Sequence, residues 1–235
     1  MGSLLRFVGG AVPSKAEARS GLRARGSRLL WPAATCLVLG TAVVTYGVAS
    51  TPKPAPGPAA AASSPSRAPA TSATDVSPLG ASPPTRIVIE RLDIEAAVLR
   101  LGLKRDGTVA VPRPEQARKA GWYDGSATPG QRGASVVLGH VDSARLPGGR
   151  AVFYRLGQAR PGDRVEVTRA DGITARFAVD RVMEVAKERF PTVAVYGPTS
   201  TAQLRLITCG GTYSDSSGYD SNVIVFAHYT GARGG

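Results

Sequence analysis

The chain has 235 residues, with 29 lysine and arginine residues against 17 aspartate and glutamate residues and a formal net charge of +12. Residues 1–50 carry +5 of this charge, residues 51–84 carry +1, and the 151 residues that follow carry +6 from 21 basic and 15 acidic side chains of interspersed sign. Nucleic-acid-binding domains concentrate basic side chains on one face, so this distribution argues against that class and fits contact with anionic wall polymers or lipid head groups.

A stretch of 21 residues without a charged side chain, 29–49, follows a basic segment, 1–28. About 20 apolar residues suffice for a helix to cross a bilayer. Basic residues flank mainly the N-terminal side, so we predict a single transmembrane anchor with residues 1–28 in the cytoplasm and the rest outside, at the plasma membrane. The alternative is a cleaved signal peptide ending near Ala49, but the apolar run exceeds the usual 7–15 residues of such signals.

Proline, alanine, serine and threonine dominate residues 50–84. Such a composition cannot bury enough apolar area to offset the entropy lost on ordering, and its prolines favour extended polyproline II conformation. We therefore predict a semi-rigid stalk, which separates the anchor from a folded domain at residues 85–231.

Short β patterns separated by turn residues fill that domain. The clearest is a hairpin, because period-two alternation lies on both sides of Asp171-Gly172. Short helices are indicated only at 115–120 and 152–156. Many short strands with almost no long helical period predict an all-β, closed or nearly closed barrel. The predicted strands are 86–89, 107–112, 134–140, 165–168, 173–179, 202–209 and 222–229.

Cys209 is the only cysteine beyond the predicted anchor, since Cys36 lies within it. No intramolecular disulfide is then available to the exported domain. A free cysteine is often a small buried hydrophobe, but a thiol is also a strong nucleophile when a base lies nearby. We expect Gly210-Gly211 to end the strand at Cys209 and to bring backbone N–H groups near an oxyanion. The spacing leaves the structural and catalytic interpretations equally open.

Two histidines could supply the base. His140 ends an apolar strand and precedes the polar Asp142, which puts its ring at the rim of a barrel, whereas His228 lies late in the last strand and is expected at the surface. Asp142 either orients the His140 ring or caps the loop that follows. One available cysteine and two histidines are too few for a structural zinc site, which takes four ligands, and we predict no metal and no cofactor.

Several segments together closely resemble the sortases, specifically the class F type of high-GC Gram-positive bacteria. The likeness runs from about Arg86 to the C-terminus, and it rests on segments 121–123, 139–143, 151–153, 160–163, 190–192, 195–198 and 206–211. It implies an eight-stranded sortase-type barrel. It also implies a cysteine transpeptidase in which Cys209 attacks the carbonyl of a sorting-signal peptide to form a thioester and His140 serves as the acid and base. The acyl group then passes to an amine of the cell wall or of a pilin, or to water in a hydrolytic side reaction.

One departure from the family concerns an arginine at the start of the last strand, to which the resemblance assigns the positioning of substrate and the stabilisation of the oxyanion. This chain has Asp220 or Ser221 there, and a carboxylate cannot perform that task. Three explanations follow: an arginine from the loop after His140 (residue 145 or 150) reaches the site, Asn222 donates in its place, or catalysis is lost. We expect a weakly active enzyme. The alternatives are a non-catalytic surface module that binds peptides and a wall-binding structural protein that depends on the stalk and on positive charge.

Overall fold

The structure is a computed structural model, and it describes residues 76–234. The predicted basic tail, the anchor and most of the stalk lie outside these residues. Within them no helix is both long enough and apolar enough to cross a bilayer. Eight strands close into a barrel in the order β1-β2-β3-β4-β7-β8-β6-β5. They are β1 Pro84–Ile89, β2 Ile94–Leu101, β3 Ala120–Tyr123, β4 Gly133–Leu138, β5 Arg164–Arg169, β6 Thr174–Ala186, β7 Ala202–Ser214 and β8 Gly218–Arg233. The all-β, eight-stranded prediction is confirmed.

Successive side chains of a strand point to opposite faces, so every second side chain of each strand faces inward. In β1, for example, Ile87 and Ile89 are buried while Arg86 is exposed. These inward side chains and others from the connecting segments form the interior cluster, whose largest fully buried members are Phe153, Phe177, Ile87, Ile89, Leu92, Leu156, Leu204 and Leu206. The interior of the barrel is therefore filled by side chains.

The predicted hairpin joins β5 to β6. Gly172 has a φ of +81°, a backbone conformation that favours glycine, and the Asp171 carboxylate accepts a hydrogen bond of 3.1 Å from the Ile173 N–H. The two strands pair from Thr168 with Thr174 onward. The Asp-Gly signal thus identified the turn, and the structure supplies the register.

Short helices occur elsewhere than predicted. A single 3₁₀ turn, Pro114–Gln116, replaces the helix expected at 115–120, because Ala120 already begins β3. The helix expected at 152–156 appears as a 3₁₀ turn at Leu156–Gln158. Two further 3₁₀ turns span Glu90–Leu92 and Lys187–Arg189, and the one α-helix among the described residues, α1, spans Thr192–Tyr196.

The chain contacts the barrel before β1 begins. The Leu79 N–H donates a hydrogen bond of 2.8 Å to the Gly130 carbonyl. The buried Arg169 guanidinium donates to the carbonyls of Gly80 (2.8 Å) and Pro129 (2.6 Å), and it also donates to the Asp171 carboxylate. These acceptors offset the cost of burying the charge. Residues 79–83 are therefore attached to the folded domain.

Candidate active site

Two neighbouring parallel strands, β4 and β7, bring His140 and Cys209 to the same end of the barrel. The last paired rung is Leu138 with Ile207, and the Gly139 N–H continues the ladder with a hydrogen bond of 3.0 Å to the Ile207 carbonyl. His140 and Cys209 each lie two residues beyond that rung. Equal offsets in a parallel pair put both residues at the same level of the sheet, and the side chains of the last rung, Leu138 and Ile207, share one face.

That face is the outside of the barrel. In β7 the side chains of Leu204 and Leu206 belong to the interior cluster, whereas Ile207 and Cys209 have the opposite parity. Cys209 is 7% exposed and packs in a second group, the outer-face cluster, which consists of Val109, Val136, Leu138, Val141, Val195, Ile207, Cys209, Tyr219, Ile224 and Phe226. The thiol thus lies beneath side chains of the outer surface and not inside the barrel.

The expectation that Gly210-Gly211 ends the strand is wrong, since β7 continues to Ser214. The glycines instead allow β8 to approach closely. A Cβ at Gly210 would lie 2.7 Å from Val223 Cγ2, and one at Gly211, whose φ is +79°, would lie 2.0 Å from an Asp220 carboxylate oxygen. The pairing of β7 with β8 shifts register between Gly210 and Tyr213, which is the mark of a β-bulge. Cys209 is therefore held inside a long hairpin, next to a bulge.

Burial controls the protonation of the thiol. It raises the pKa of Cys209 to about 11, while the nearby positive charge of Lys187 lowers this pKa and the negative charge of Asp142 raises it further. Cys209 is thus a neutral thiol at neutral pH. Lys187 was not singled out in the sequence, because it follows β6 and comes near Cys209 only through the pairing of β6 and β7 with β8.

His140 is half-buried, and its Nε2 lies 2.7 Å from the Pro112 carbonyl oxygen. A carbonyl can only accept, so Nε2 carries the proton of this hydrogen bond. Nδ1 is then the ring nitrogen that can take up another proton. The contact fixes both the orientation of the ring and the tautomer suited to a base.

Asp142 has a partner other than the His140 ring. The Tyr219 hydroxyl donates a hydrogen bond of 2.6 Å to the Asp142 carboxylate, and the Asp142 backbone forms an isolated bridge with Arg150. These contacts fasten the loop after β4 to the start of β8. Of the two roles considered for Asp142, they favour the one that stabilises the loop.

Asp220, at the position of the expected arginine, is exposed, and its Oδ1 accepts hydrogen bonds from the Thr212 N–H (3.0 Å) and the Ser221 hydroxyl (2.9 Å). The two loop arginines have partners elsewhere. Arg145 forms an exposed ion pair of 3.0 Å with Glu115, and Arg150 stacks 5.3 Å from the centre of the Tyr154 ring. These contacts give no support to the explanation that a loop arginine serves the thiol.

Asn222 lies directly across the β7–β8 ladder from Cys209 and is 0% exposed. Neither its Oδ1 nor its Nδ2 has a hydrogen-bond partner among the described residues. Burial of an amide without a partner costs about 1–3 kcal/mol in protein mutational data. A stable fold alone does not account for such a residue.

A cavity of about 610 Å³ opens on the same outer face, beside β4 and α1. Leu103, Val109, Tyr123, Val136 and Tyr196 are among its lining residues. The buried Tyr196 hydroxyl has no partner among the residues described by the structure. Sequence reasoning missed this site, although Tyr196 lies in one of the segments that carry the family resemblance.

His228 is exposed, as expected, and its Nδ1 lies 2.5 Å from an Asp180 carboxylate oxygen. This pair involves β8 and β6 on the surface. Of the two histidines, His140 is the one that the fold brings to the same end of the barrel as Cys209.

Comparison with known proteins identifies the family of the chain. Structures similar to this chain include sortase A of Listeria monocytogenes (15% identity, TM-score 0.49, 66% of this chain and 91% of that one) and sortase A of Corynebacterium diphtheriae (23%, 0.47, 63% and 61%). Sortase C-1 of Actinomyces oris is similar at 20% identity, TM-score 0.47, 61% of this chain and 72% of that one. No curated protein sequence matches the chain. The family model described as the sortase domain matches residues 87–230, more than half of the chain. The chain therefore belongs to the sortase family.

Proposed function

We propose that this sortase is a cysteine transpeptidase of the class F type that cleaves a sorting-signal peptide and transfers its acyl part to an amine. Cys209 is the nucleophile and His140 is the acid and base. The observation that carries the proposal is the β4–β7 register, because both residues lie two positions beyond its last rung. The fixed Nε2–H of His140 supports it, since Nδ1 is left to take the thiol proton.

The reaction has two halves. In the first, His140 takes the proton of the Cys209 thiol while the sulfur bonds to the peptide carbonyl carbon, and the C–N bond then breaks as His140 protonates the leaving amine. A thioester remains. In the second, an incoming amine loses a proton to His140 and attacks the thioester, so that a new amide forms and the released sulfur regains its proton.

The neutral thiol determines the order of events. Because burial raises the pKa of Cys209 to about 11, almost no thiolate exists at neutral pH, and the proton has to leave as the sulfur attacks. A base must therefore be present at the moment of attack. Water in place of the amine gives hydrolysis.

The outer face offers a path for an extended peptide. Val136 lines the cavity and lies four residues before His140 along the direction of β4, which corresponds to about 13 Å at ~3.3 Å per residue. A bound segment of about four residues would reach from the cavity to the thiol. We infer that the substrates are secreted proteins with a sorting signal, and that the acceptor is an amine of the cell wall or of a pilin.

The proposed location is the plasma membrane, with residues 1–28 in the cytoplasm, residues 29–49 in the bilayer and the domain at 85–231 outside. The uncharged 21-residue stretch and the basic segment before it support this arrangement. The part of the predicted Pro/Ala/Ser-rich stalk (50–84) that precedes Leu79 would then hold the site away from the lipid surface, since residues 79–83 are attached to the domain.

The test is thioester formation by the full-length chain in detergent micelles. We expect intact-mass spectrometry with a library of sorting-type peptides to show an acyl adduct on the wild-type chain and on Cys36→Ala, but not on Cys209→Ala. Cys36→Ala is the matched control, because it removes the other cysteine. The proposal fails if no peptide acylates the wild type, or if the adduct persists in Cys209→Ala.

A second candidate is a catalytically impaired barrel that binds peptides at the surface. The acidic Asp220 at the position of the expected arginine favours it, since a carboxylate opposes a developing negative charge. In that case Cys209→Ala and the wild type should bind the same peptides with equal affinity, and neither should convert them.

A further inference from the structure

The position of Asn222 is fixed by the β7–β8 ladder. Cys209 pairs with Asn222 on one side, and Val185 of β6 pairs with Asn222 on the other. Residues directly opposite in an antiparallel pair share a face and have Cβ atoms about 4.5–5.5 Å apart. The Asn222 amide therefore lies beside the Cys209 side chain, on the outer face of the barrel.

The Asn222 amide has unused hydrogen-bonding capacity. It is 0% exposed, and within residues 76–234 neither its oxygen nor its nitrogen has a partner. Buried polar groups are nearly always paired, and one that is not destabilises the fold. The neighbours of the amide are apolar: Val185 pairs with Asn222 directly across the β6–β8 ladder, and Ile224 is the next outward residue along β8. Neither neighbour can hydrogen-bond the amide through its side chain. An amide at this position thus indicates a group that is absent from the free protein.

The hydrogen-bonding pattern of the amide matches a peptide bond. Nδ2 offers N–H donors to a carbonyl oxygen, and Oδ1 can accept from an N–H. When a thiol attacks a carbonyl carbon, negative charge develops on the carbonyl oxygen, which is bonded to the carbon that the sulfur attacks. A donor next to the sulfur then binds more strongly in the transition state than in the ground state.

We propose that Asn222 is a catalytic residue, which donates from Nδ2 to the substrate carbonyl oxygen as that oxygen becomes an oxyanion. The inference rests on the proposed function of Cys209. It assigns to a neutral amide the task that the family resemblance gives to an arginine. Asp220 cannot perform it, since its carboxylate has no proton to donate and already accepts from the Thr212 N–H and Ser221.

Lys187 is the competing donor, because its positive charge acts on Cys209. It is half-buried and begins the 3₁₀ turn after β6, one register position beyond Ala186, which pairs with Ser221. Asn222 faces Cys209 across a single ladder rung, whereas Lys187 reaches it only across β8. The test therefore compares variants of both residues.

Two reactions of the same sulfur separate oxyanion binding from other effects. Thioester formation with a sorting-type peptide passes through an oxyanion, whereas alkylation by iodoacetamide displaces iodide from a CH₂ group and forms none. In the full-length chain we expect Asn222→Leu and Asn222→Ala to slow thioester formation about 10²–10³-fold. We expect alkylation to change less than about threefold. Lys187→Met should slow both reactions by a similar factor, since it acts through the charge of the thiol.

Thermal unfolding supplies the second readout. If the amide serves a ligand, Asn222→Leu should melt at the same temperature as the wild type or above it, because the variant no longer buries an unpaired polar group. Ser221→Ala is the matched control on the same strand, and it should acylate at the wild-type rate.

The outcomes are distinct. If the wild type and Asn222→Leu form the thioester at the same rate, this inference alone is overturned. Equal losses in acylation and alkylation, or a clear drop in melting temperature for both Asn222 variants, also overturn it. Either result would show that Asn222 maintains the structure around the thiol. A wild-type chain without any thioester overturns the proposed function and this inference together.

Discussion

The interior of the barrel and the outer face of β4, β7 and β8 are both buried, but their polar atoms differ. The interior cluster is filled by aliphatic and aromatic side chains such as Phe177 and Leu206. On the outer face, Asn222 beside Cys209 has an unpaired amide, and Tyr196, which packs against the outer-face cluster, has an unpaired hydroxyl. Three of the five buried side-chain polar atoms without a partner in the described part of the chain belong to these two residues. Another of these atoms, the Ser135 hydroxyl, has the parity of Val137 and faces the interior, so the outer face differs by having more unpaired hydrogen-bonding groups.

One strand serves both regions. In β7 the alternate residues Leu204 and Leu206 stabilise the barrel, while Ile207 and Cys209 face outward. Because successive side chains of a strand point to opposite faces, substitutions one residue apart can affect stability or chemistry separately. The predictions below test this separation, from the largest expected effect to the smallest.

Replacement of His140 should abolish most of the activity with little change in stability. We expect His140→Gln to lower kcat/KM for peptide cleavage about 10²–10⁴-fold, the usual contribution of a positioned acid and base. His228→Gln is the matched control, since His228 is exposed and paired with Asp180. Equal kinetics for the two variants would remove His140 from the mechanism.

Alkylation of Cys209 should depend steeply on pH. The raised pKa of about 11 keeps the thiol neutral, so the iodoacetamide rate should increase about 1,000-fold from pH 7 to pH 10, tenfold for each unit. Asp142→Asn removes a negative charge that raises this pKa, which should shift the curve to lower pH. The surface variant Asp180→Asn should leave the pH dependence of the alkylation rate unchanged. A wild-type rate that levels off below pH 9 would show that the outer face does not bury the thiol as described.

Truncation in the interior should affect stability and spare the chemistry. Phe177 is 1% exposed and packs edge-on against Tyr229, with ring centres 5.6 Å apart. We expect Phe177→Ala to lower the free energy of unfolding by about 3–5 kcal/mol in urea denaturation. The folded fraction should still alkylate Cys209 at the wild-type rate. Val193→Ala, at an 84% exposed position, should change stability by less than about 0.5 kcal/mol.

Local signals predicted much of the domain. Alternation of apolar residues identified six of the eight strands, and Asp171-Gly172 identified a turn, because these features depend on side chains within a few positions of each other. The prediction missed β2 and β3, and its strand at 107–112 is wrong, since that segment forms only an isolated bridge at Val109. The prediction that the glycines after Cys209 end the strand was wrong because it also used only such local signals. In isolation two glycines end a strand, but here the close approach of β8 holds them inside the ladder.

The sequence by itself determined the all-β class and the likeness to sortases, and it offered Cys209 and His140 as candidates, since these are matters of composition, period and motif. Only the tertiary structure decided which face carries Cys209, that Asn222 lies across from it, and that burial keeps the thiol neutral. These features depend on the β4–β7 and β7–β8 registers. A register joins residues far apart in the chain, and it is set by the packing of the whole barrel.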